Sequence, residues 1–271
     1  MLDMKKHTVA AVATLGLLVP AAALAAEITG GPGDERLRGT NVADKIDGND
    51  GNDRVFGFAG DDVLIGGPGN DRVFGGAGDD TITGVQGNDR LEGGAGDDTV
   101  TGDANDAGDR TSFDRISGGV GNDTLFGGDS RDIISGGRGN DVSEGGNGND
   151  TIFANRGEDI SRGGDGNDTL WALARGDVQP GPDGKDTTGD TLEGGNGDDR
   201  FRTRDGEVDL VTCGPGTDRA DLDLVDVITD VGEGAPLGSC ELVVRRAAKG
   251  SSRQDSGPKS EERRENARPR R

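Results

Sequence analysis

Aspartate returns in this chain at a fixed interval, and the interval points to its chemistry. Over Gly66–Thr101 the sequence reads GGPGNDRVF, GGAGDDTIT, GVQGNDRLE and GGAGDDTVT. Each unit is nine residues long, in the order Gly, Gly, any, Gly, any, Asp, any, aliphatic, any. A carboxylate at position six, set among the main-chain carbonyls of a glycine-rich turn, makes a hard, all-oxygen donor set. Such a set suits Ca²⁺, which takes six to eight oxygens flexibly. It suits Mg²⁺ less, because that ion demands stricter octahedral geometry and keeps its waters. A carboxylate pair can also do general acid–base work, but the turns already account for where these Asp residues stand. There is no HExxH, no G-x-S-x-G, and the single histidine, His7, lies at the extreme N-terminus.

Self-similarity at this short period resembles the RTX (haemolysin-type calcium-binding) nonapeptide family. The resemblance covers nearly the whole chain after its first thirty or so residues. It implies a right-handed parallel β-roll that binds several Ca²⁺ ions, each held between turns n and n+2 by Asp carboxylates and Gly-region carbonyls. Carried onto this sequence, the ligands are Asp53, Asp71 and Asp89 on one edge and Asp62, Asp80 and Asp98 on the other. In a second array they are Asp123, Asp132, Asp141, Asp150, Asp159 and Asp168, then Asp199 in a last regular unit.

The elements that must position these residues follow from the pattern. Six glycine-rich residues turn sharply, because glycine tolerates positive φ at little cost. A triplet such as Arg72-Val73-Phe74 then forms a short strand with its middle side chain inward. Two turn–strand units complete one coil of eighteen residues, so unit n stacks on unit n+2. The expected fold is all-β: a parallel β-roll with Val, Ile and Leu of position eight as a thin seam. One buried aliphatic per nine ordered residues is too little apolar burial to offset the backbone entropy lost. Stacked carboxylates also repel one another. Binding of calcium and folding are therefore expected to be largely one process.

Composition agrees. The chain has a formal charge of −22, 52 Gly, seven Phe, one Trp and no Tyr, too few large apolar groups for an ordinary core. Nucleic acid is not an expected partner, because phosphate and these carboxylates repel.

In chain order, residues 1–25 read as a secretory signal: Lys5 and Lys6, an apolar Val9–Val19, and Ala23-Leu24-Ala25 at the cleavage site. Met4 is an alternative start. The run is too short and Ala-rich for a permanent membrane span, and the expected destination is extracellular. The first array, residues 30–101, holds eight units, of which the first two are degraded (Glu35 for Asp, Val42 for Gly) and read as a cap. Residues 102–108 are an insertion. The second array, 109–202, keeps Asp114 and Ile116 in step, but DVSE and DISR put Ser143 and Ser161 where the inward aliphatic belongs. Either the strand bulges there or the seam is locally weak. A poor unit, ALARGDVQP, precedes a Pro/Gly loop at Gly181–Gly184.

Outward positions stack every eighteen residues. One face carries Arg36, Arg54, Arg72 and Arg90; the opposite face carries Val63 and Ile65, then Thr81 and Thr83, then Thr99 and Thr101. The Thr-x-Thr rungs resemble ice-binding ladders, but ordinary strand preference for Thr explains them. Phe56 is expected to stack on Phe74, and Phe153 on Trp171. These aromatics are candidates to meet a glycan or another chain.

Residues 203–244 read as a closing cap. Cys213-Gly214-Pro215-Gly216-Thr217-Asp218 with downstream Cys240-Glu241 resembles the C-terminal segment of exported actinobacterial calcium-binding repeat proteins. Two cysteines in an exported chain form one disulfide, Cys213–Cys240. Residues 245–271 form a polar tail with ten basic and four acidic residues, expected to be disordered or to touch an anionic cell envelope. The expected function is that of an exported, non-enzymatic calcium-binding protein. A calcium-stiffened adhesion module and a polysaccharide-modifying β-solenoid enzyme are the alternatives.

Overall fold

The computed structural model describes residues 25–103, 112–172, 189–229 and 240–246. Residues 1–24 of the signal segment, most of the insertion, all but Ala172 of the ALARGDVQP unit with its Pro/Gly loop, residues 230–239 of the closing segment, and nearly all of the basic tail lie outside the described residues. Among the described residues every regular element is a strand, and the twenty-two strands form two sheets of eleven. Odd-numbered strands make one sheet and even-numbered strands the other, with every pairing parallel between strands n and n+2.

The register is the nonapeptide register. In the even sheet β4 (Arg54–Ala59) lies on β6 (Arg72–Ala77), pairing Val55 with Val73 and Phe56 with Phe74. In the odd sheet β5 (Val63–Pro68) lies on β7 (Thr81–Gln86), pairing Leu64 with Ile82. In twelve of the described strands a stretch of six residues, positions seven to nine plus the first three of the next unit, makes the strand, whereas those at Arg36–Arg38, Lys45–Asp47 and Thr169–Trp171 stay triplets. The ladder continues past position nine because position-one amides still find carbonyls in the adjacent layer: Gly48 N–H donates to Ile65 O at 2.9 Å.

Three glycines per unit answer different demands. At position one the chain is crowded: a Cβ on Gly66 would lie 2.5 Å from Asp71 Oδ2 and 3.0 Å from the Gly84 carbonyl oxygen. At positions two and four the backbone takes positive φ, +110° at Gly67 and +155° at Gly69, which favours glycine, although Phe58, Val85 and Asn155 adopt it at position two.

Coiling is continuous across the insertion. β8 (Arg90–Ala95) pairs with β10 (Arg115–Val120), and β9 (Thr99–Asp103) with β11 (Thr124–Asp129), so Asp89 and Asp98 are followed in their stacks by Asp114 and Asp123. The closing segment also continues the coil instead of sealing it with a different architecture. β18 (Arg200–Thr203), β20 (Arg219–Leu222) and β22 (Leu242–Arg245) extend the even sheet; β19 (Leu210–Thr212) and β21 (Val227–Ile228) extend the odd one.

At Ser143 and Ser161 the strands do not bulge. β13 (Val142–Asn147) and β15 (Ile160–Asp165) keep register, pairing Ser143 with Leu125 and with Ser161. Both serines are buried in the seam, and the apolar core divides around them into one cluster ending at Ile152 and another beginning at Leu170. Ser161 Oγ has no hydrogen-bond partner among the described residues. An unsatisfied buried hydroxyl costs about 1–3 kcal/mol. Ser161→Val is accordingly expected to stabilise the fold by about 1–2 kcal/mol, read as a rise in the thermal midpoint in calcium; a fall would show that the layer has no room for the branched side chain.

Cys213 and Cys240 form a disulfide with a Cα–Cα separation of 5.4 Å, both side chains buried in the second core cluster. It closes a loop with a sequence separation of 27 across the last layers. On the chain-entropy model the bond contributes about 3–4 kcal/mol. The double variant Cys213→Ser/Cys240→Ser is expected to lose that amount in chemical denaturation, with protease cutting beginning near residue 203.

Candidate metal centre

The strands place every position-six aspartate in the same setting. Each side chain turns in from the end of a glycine turn and reaches the neighbouring layer, where its Oδ1 accepts the backbone N–H of the aspartate one coil earlier. Asp53 N–H donates to Asp71 Oδ1 at 2.7 Å, Asp71 to Asp89 at 2.8 Å, Asp62 to Asp80 at 2.9 Å and Asp80 to Asp98 at 2.9 Å. Across the insertion Asp89 donates to Asp114 at 2.8 Å and Asp98 to Asp123 at 2.9 Å. Two chains of this kind, one per edge, run along the solenoid.

The other oxygen is left over. Oδ2 of Asp53, Asp62, Asp71, Asp80, Asp89, Asp98, Asp123, Asp132, Asp141, Asp150, Asp159, Asp168 and Asp199 is buried and has no hydrogen-bond partner among the described residues. Buried carboxylate oxygens are normally satisfied, so a repeated orphan needs a physical cause. Except at Asp159, whose unit opens with Ala154, each orphan faces the cradle left by a position-one glycine, and in eleven of these units a carbonyl of the next layer points there too. A Cβ on Gly127 would meet Gly145 O at 2.5 Å and Asp132 Oδ2 at 2.7 Å; the same pair of donor types flanks Gly66 and Gly194. Orphan carboxylate oxygen and carbonyl oxygen converging on one space is what a hard cation requires.

Electrostatics point the same way. Burial, opposed in part by the backbone hydrogen bond and reinforced by neighbouring carboxylates, pushes Asp71 and Asp80 up to about 6 and Asp98, Asp132, Asp141, Asp150 and Asp199 to about 7. Asp89, Asp114 and Asp159 rise to about 8. Without a cation, ionising a whole edge is costly.

Residues outside the expected ligand set share the arrangement. Asp114 has the orphan Oδ2, and Asp209 does too, with its Oδ1 accepting Asp190 N–H at 2.8 Å. At the C-terminal end Glu241 takes the aspartate's place and accepts Asp218 N–H at 2.5 Å. The signal for Asp209 was faint because its unit has ten residues, which shifts the stacking interval to nineteen. For Glu241 it was faint because a longer side chain replaces Asp. Asp205, Glu207 and Asp209 also bring carboxylate oxygens within 4.8 Å of one another.

A second ladder had no sequence signal, since position five read as unconstrained. Its Asn and Asp side chains run the other way: Asn70 N–H donates to Asn52 Oδ1 at 3.0 Å, Asn88 to Asn70 at 3.0 Å, and Asp97 to Asp79 at 2.9 Å. These residues lie at the surface and tie the turn edges together from outside.

The fold and site define a parallel β-solenoid whose stacked turns present buried, incompletely satisfied carboxylates. The chain belongs to the RTX calcium-binding nonapeptide repeat family, whose model matches residues 29–57, 56–91, 83–106, 111–143, 135–170 and 186–207, more than half of the sequence. No curated protein matches it. Among the described residues no helix is long and apolar enough to cross a membrane.

Proposed function

We propose that the protein is exported and binds several Ca²⁺ ions between stacked turns, folding as it does so, without a catalytic role. The observation that carries this reading is the orphan Oδ2 of every position-six aspartate in the ligand set, eleven of them beside a carbonyl from the next layer. Aspartates 53, 71 and 89 would hold ions along one edge and 62, 80 and 98 along the other, with 123 to 168 and 199 continuing the stacks. The ion would supply charge neutralisation and cross-layer coordination. The protein's own Oδ1–amide bonds fix where each carboxylate points.

Export rests on the N-terminal segment. Low cytosolic calcium would keep the chain loose until it is outside. The decisive measurement is far-UV circular dichroism of the chain lacking residues 1–25, titrated with CaCl₂ and then MgCl₂ from an EDTA-treated start. A cooperative gain of β signal with calcium alone is expected, with calorimetry counting the ions. A β-rich chain in EDTA at neutral pH that ignores calcium would remove the coupling of binding to folding.

A further inference from the structure

Charge on the solenoid surface is sorted by sheet. In the even sheet Arg36, Arg54, Arg72, Arg90 and Arg115 stack in register, all exposed, the last joining the rank across the insertion. The next strand puts Ile133 in that row, so the rank belongs to the first half of the roll. Beside it the position-five edge opens with Asp34 and continues in amides: Asn52, Asn70 and Asn88. On the odd sheet the corresponding edge is acidic (Asp61, Asp79, Asp97), and the outward row there is Val63, Thr81 and Thr99. Parallel strands sit about 4.8 Å apart, so the arginines form a straight comb along the solenoid axis.

Aromatic rings line the comb. Phe56 and Phe74 stack at 5.2 Å, Arg36 lies 5.0 Å over Phe56, and Arg115 lies 5.0 Å over Phe113. A groove of about 460 Å³ opens between them, lined by Arg72, Arg90, Arg115, Asn70, Asn88, Phe74 and Phe113, with buried Asp71 and Asp89 beneath. Among the described residues the acidic groups beside the rank are Asp34 at its N-terminal end and Glu92, 3.9 Å from Arg90, whose side chain stays 61% exposed.

We propose that this face binds a linear, carboxylate-bearing polysaccharide laid along the solenoid axis. Guanidinium groups present a rigid fork that matches a carboxylate with two hydrogen bonds. The asparagine amides both donate and accept, which fits sugar hydroxyls, and Phe74 and Phe113 in the groove lining are apolar partners for the C–H face of a pyranose. A polyphosphate would satisfy the arginines but leave amides and rings without partners. Nucleic acid bases need open ring faces to stack upon, whereas Arg36 and Phe74 cover both faces of Phe56 and Arg115 covers one face of Phe113. The proposal requires the folded roll and is independent of how many ions it holds.

The test is calorimetric titration of the folded chain in CaCl₂ with hyaluronate oligosaccharides, which bear a carboxylate on every second sugar and do not gel with calcium. Binding is expected that weakens as salt rises. Arg72→Gln/Arg90→Gln/Arg115→Gln should lower affinity at least tenfold with an unchanged circular dichroism spectrum. Asp61→Asn/Asp79→Asn/Asp97→Asn should leave it within twofold. The proposal is overturned if hyaluronate does not bind, if the arginine variant binds as well, or if neutral dextran binds equally. Tighter binding of polyphosphate or oligo(dT) overturns it too, as does self-association of the chain that the arginine variant abolishes, which would give the face to a second copy. Circular dichroism in the same buffer separates failure of this proposal from failure of calcium-coupled folding.

Discussion

In EDTA the chain is expected to hold more β structure at pH 5 than at pH 8.5, the reverse of ordinary acid denaturation. The sign comes from the position-six carboxylates. Burial raises Asp71 to about 6, Asp98 to about 7 and Asp89 and Asp114 to about 8, against about 4 for an unfolded aspartate. The folded state therefore binds protons more tightly than the unfolded state. Its proton-linked stability is fully present below about pH 4 and is lost as pH climbs through 6 to 8. Calcium reverses the trend, because metal and proton compete for the same oxygens. The half-saturating calcium concentration is expected to fall at least tenfold between pH 5 and pH 8. Circular dichroism across a pH series, with and without CaCl₂, reads both arms. A metal-free chain that gains β signal as pH rises would refute the assignment of these carboxylates as strained by burial.

The second large effect is a change of sign at one residue. Asp89→Asn keeps an Oδ1 that accepts the Asp71 N–H. It removes a buried charge that feels both Asp71 and Asp114. In EDTA this variant is expected to be more ordered than the parent, since the repulsion along its edge is relieved. In saturating calcium it is expected to be less stable by about 3 kcal/mol, because an ion between layers loses a charged partner. Denaturant midpoints in the two conditions should shift in opposite directions. If both shift the same way, Asp89 acts only as a structural acceptor, and the orphan oxygen does not face a cation.

Much of this was written in the repeat. Aspartate at position six and an aliphatic at position eight fix the coil length, the partner of every strand and the inward row from Leu37 to Leu170, because a strand's side chains alternate strictly and a shift by one would expose the seam. The stacks Asp53–Asp71–Asp89 and Asp62–Asp80–Asp98 and the pairs Phe56–Phe74 and Phe153–Trp171 follow from that arithmetic and are present, as is the disulfide, which follows from the presence of two cysteines alone. Where the arithmetic falters, the pattern goes quiet although the coil does not. The seven-residue insertion before Asp114 and the ten-residue unit ending at Asp209 alter the spacing between stacked layers, and only pairing with the adjacent strand restores the register.

What the sequence determined by itself is the period, and with it the residues that share an edge, a seam or a face. The tertiary structure decided how each shared residue is used. Layer-on-layer contact gives one aspartate oxygen an amide and leaves the other bare, lets Glu241 stand in for aspartate, and keeps Ser161 inward at a cost. It also draws Arg115 into line with four arginines on the far side of an insertion. The physical reason is the same in each case. A nine-residue pattern specifies local turns and strands, whereas hydrogen-bond satisfaction and charge proximity belong to atoms eighteen or more residues apart, which meet only when the coil closes.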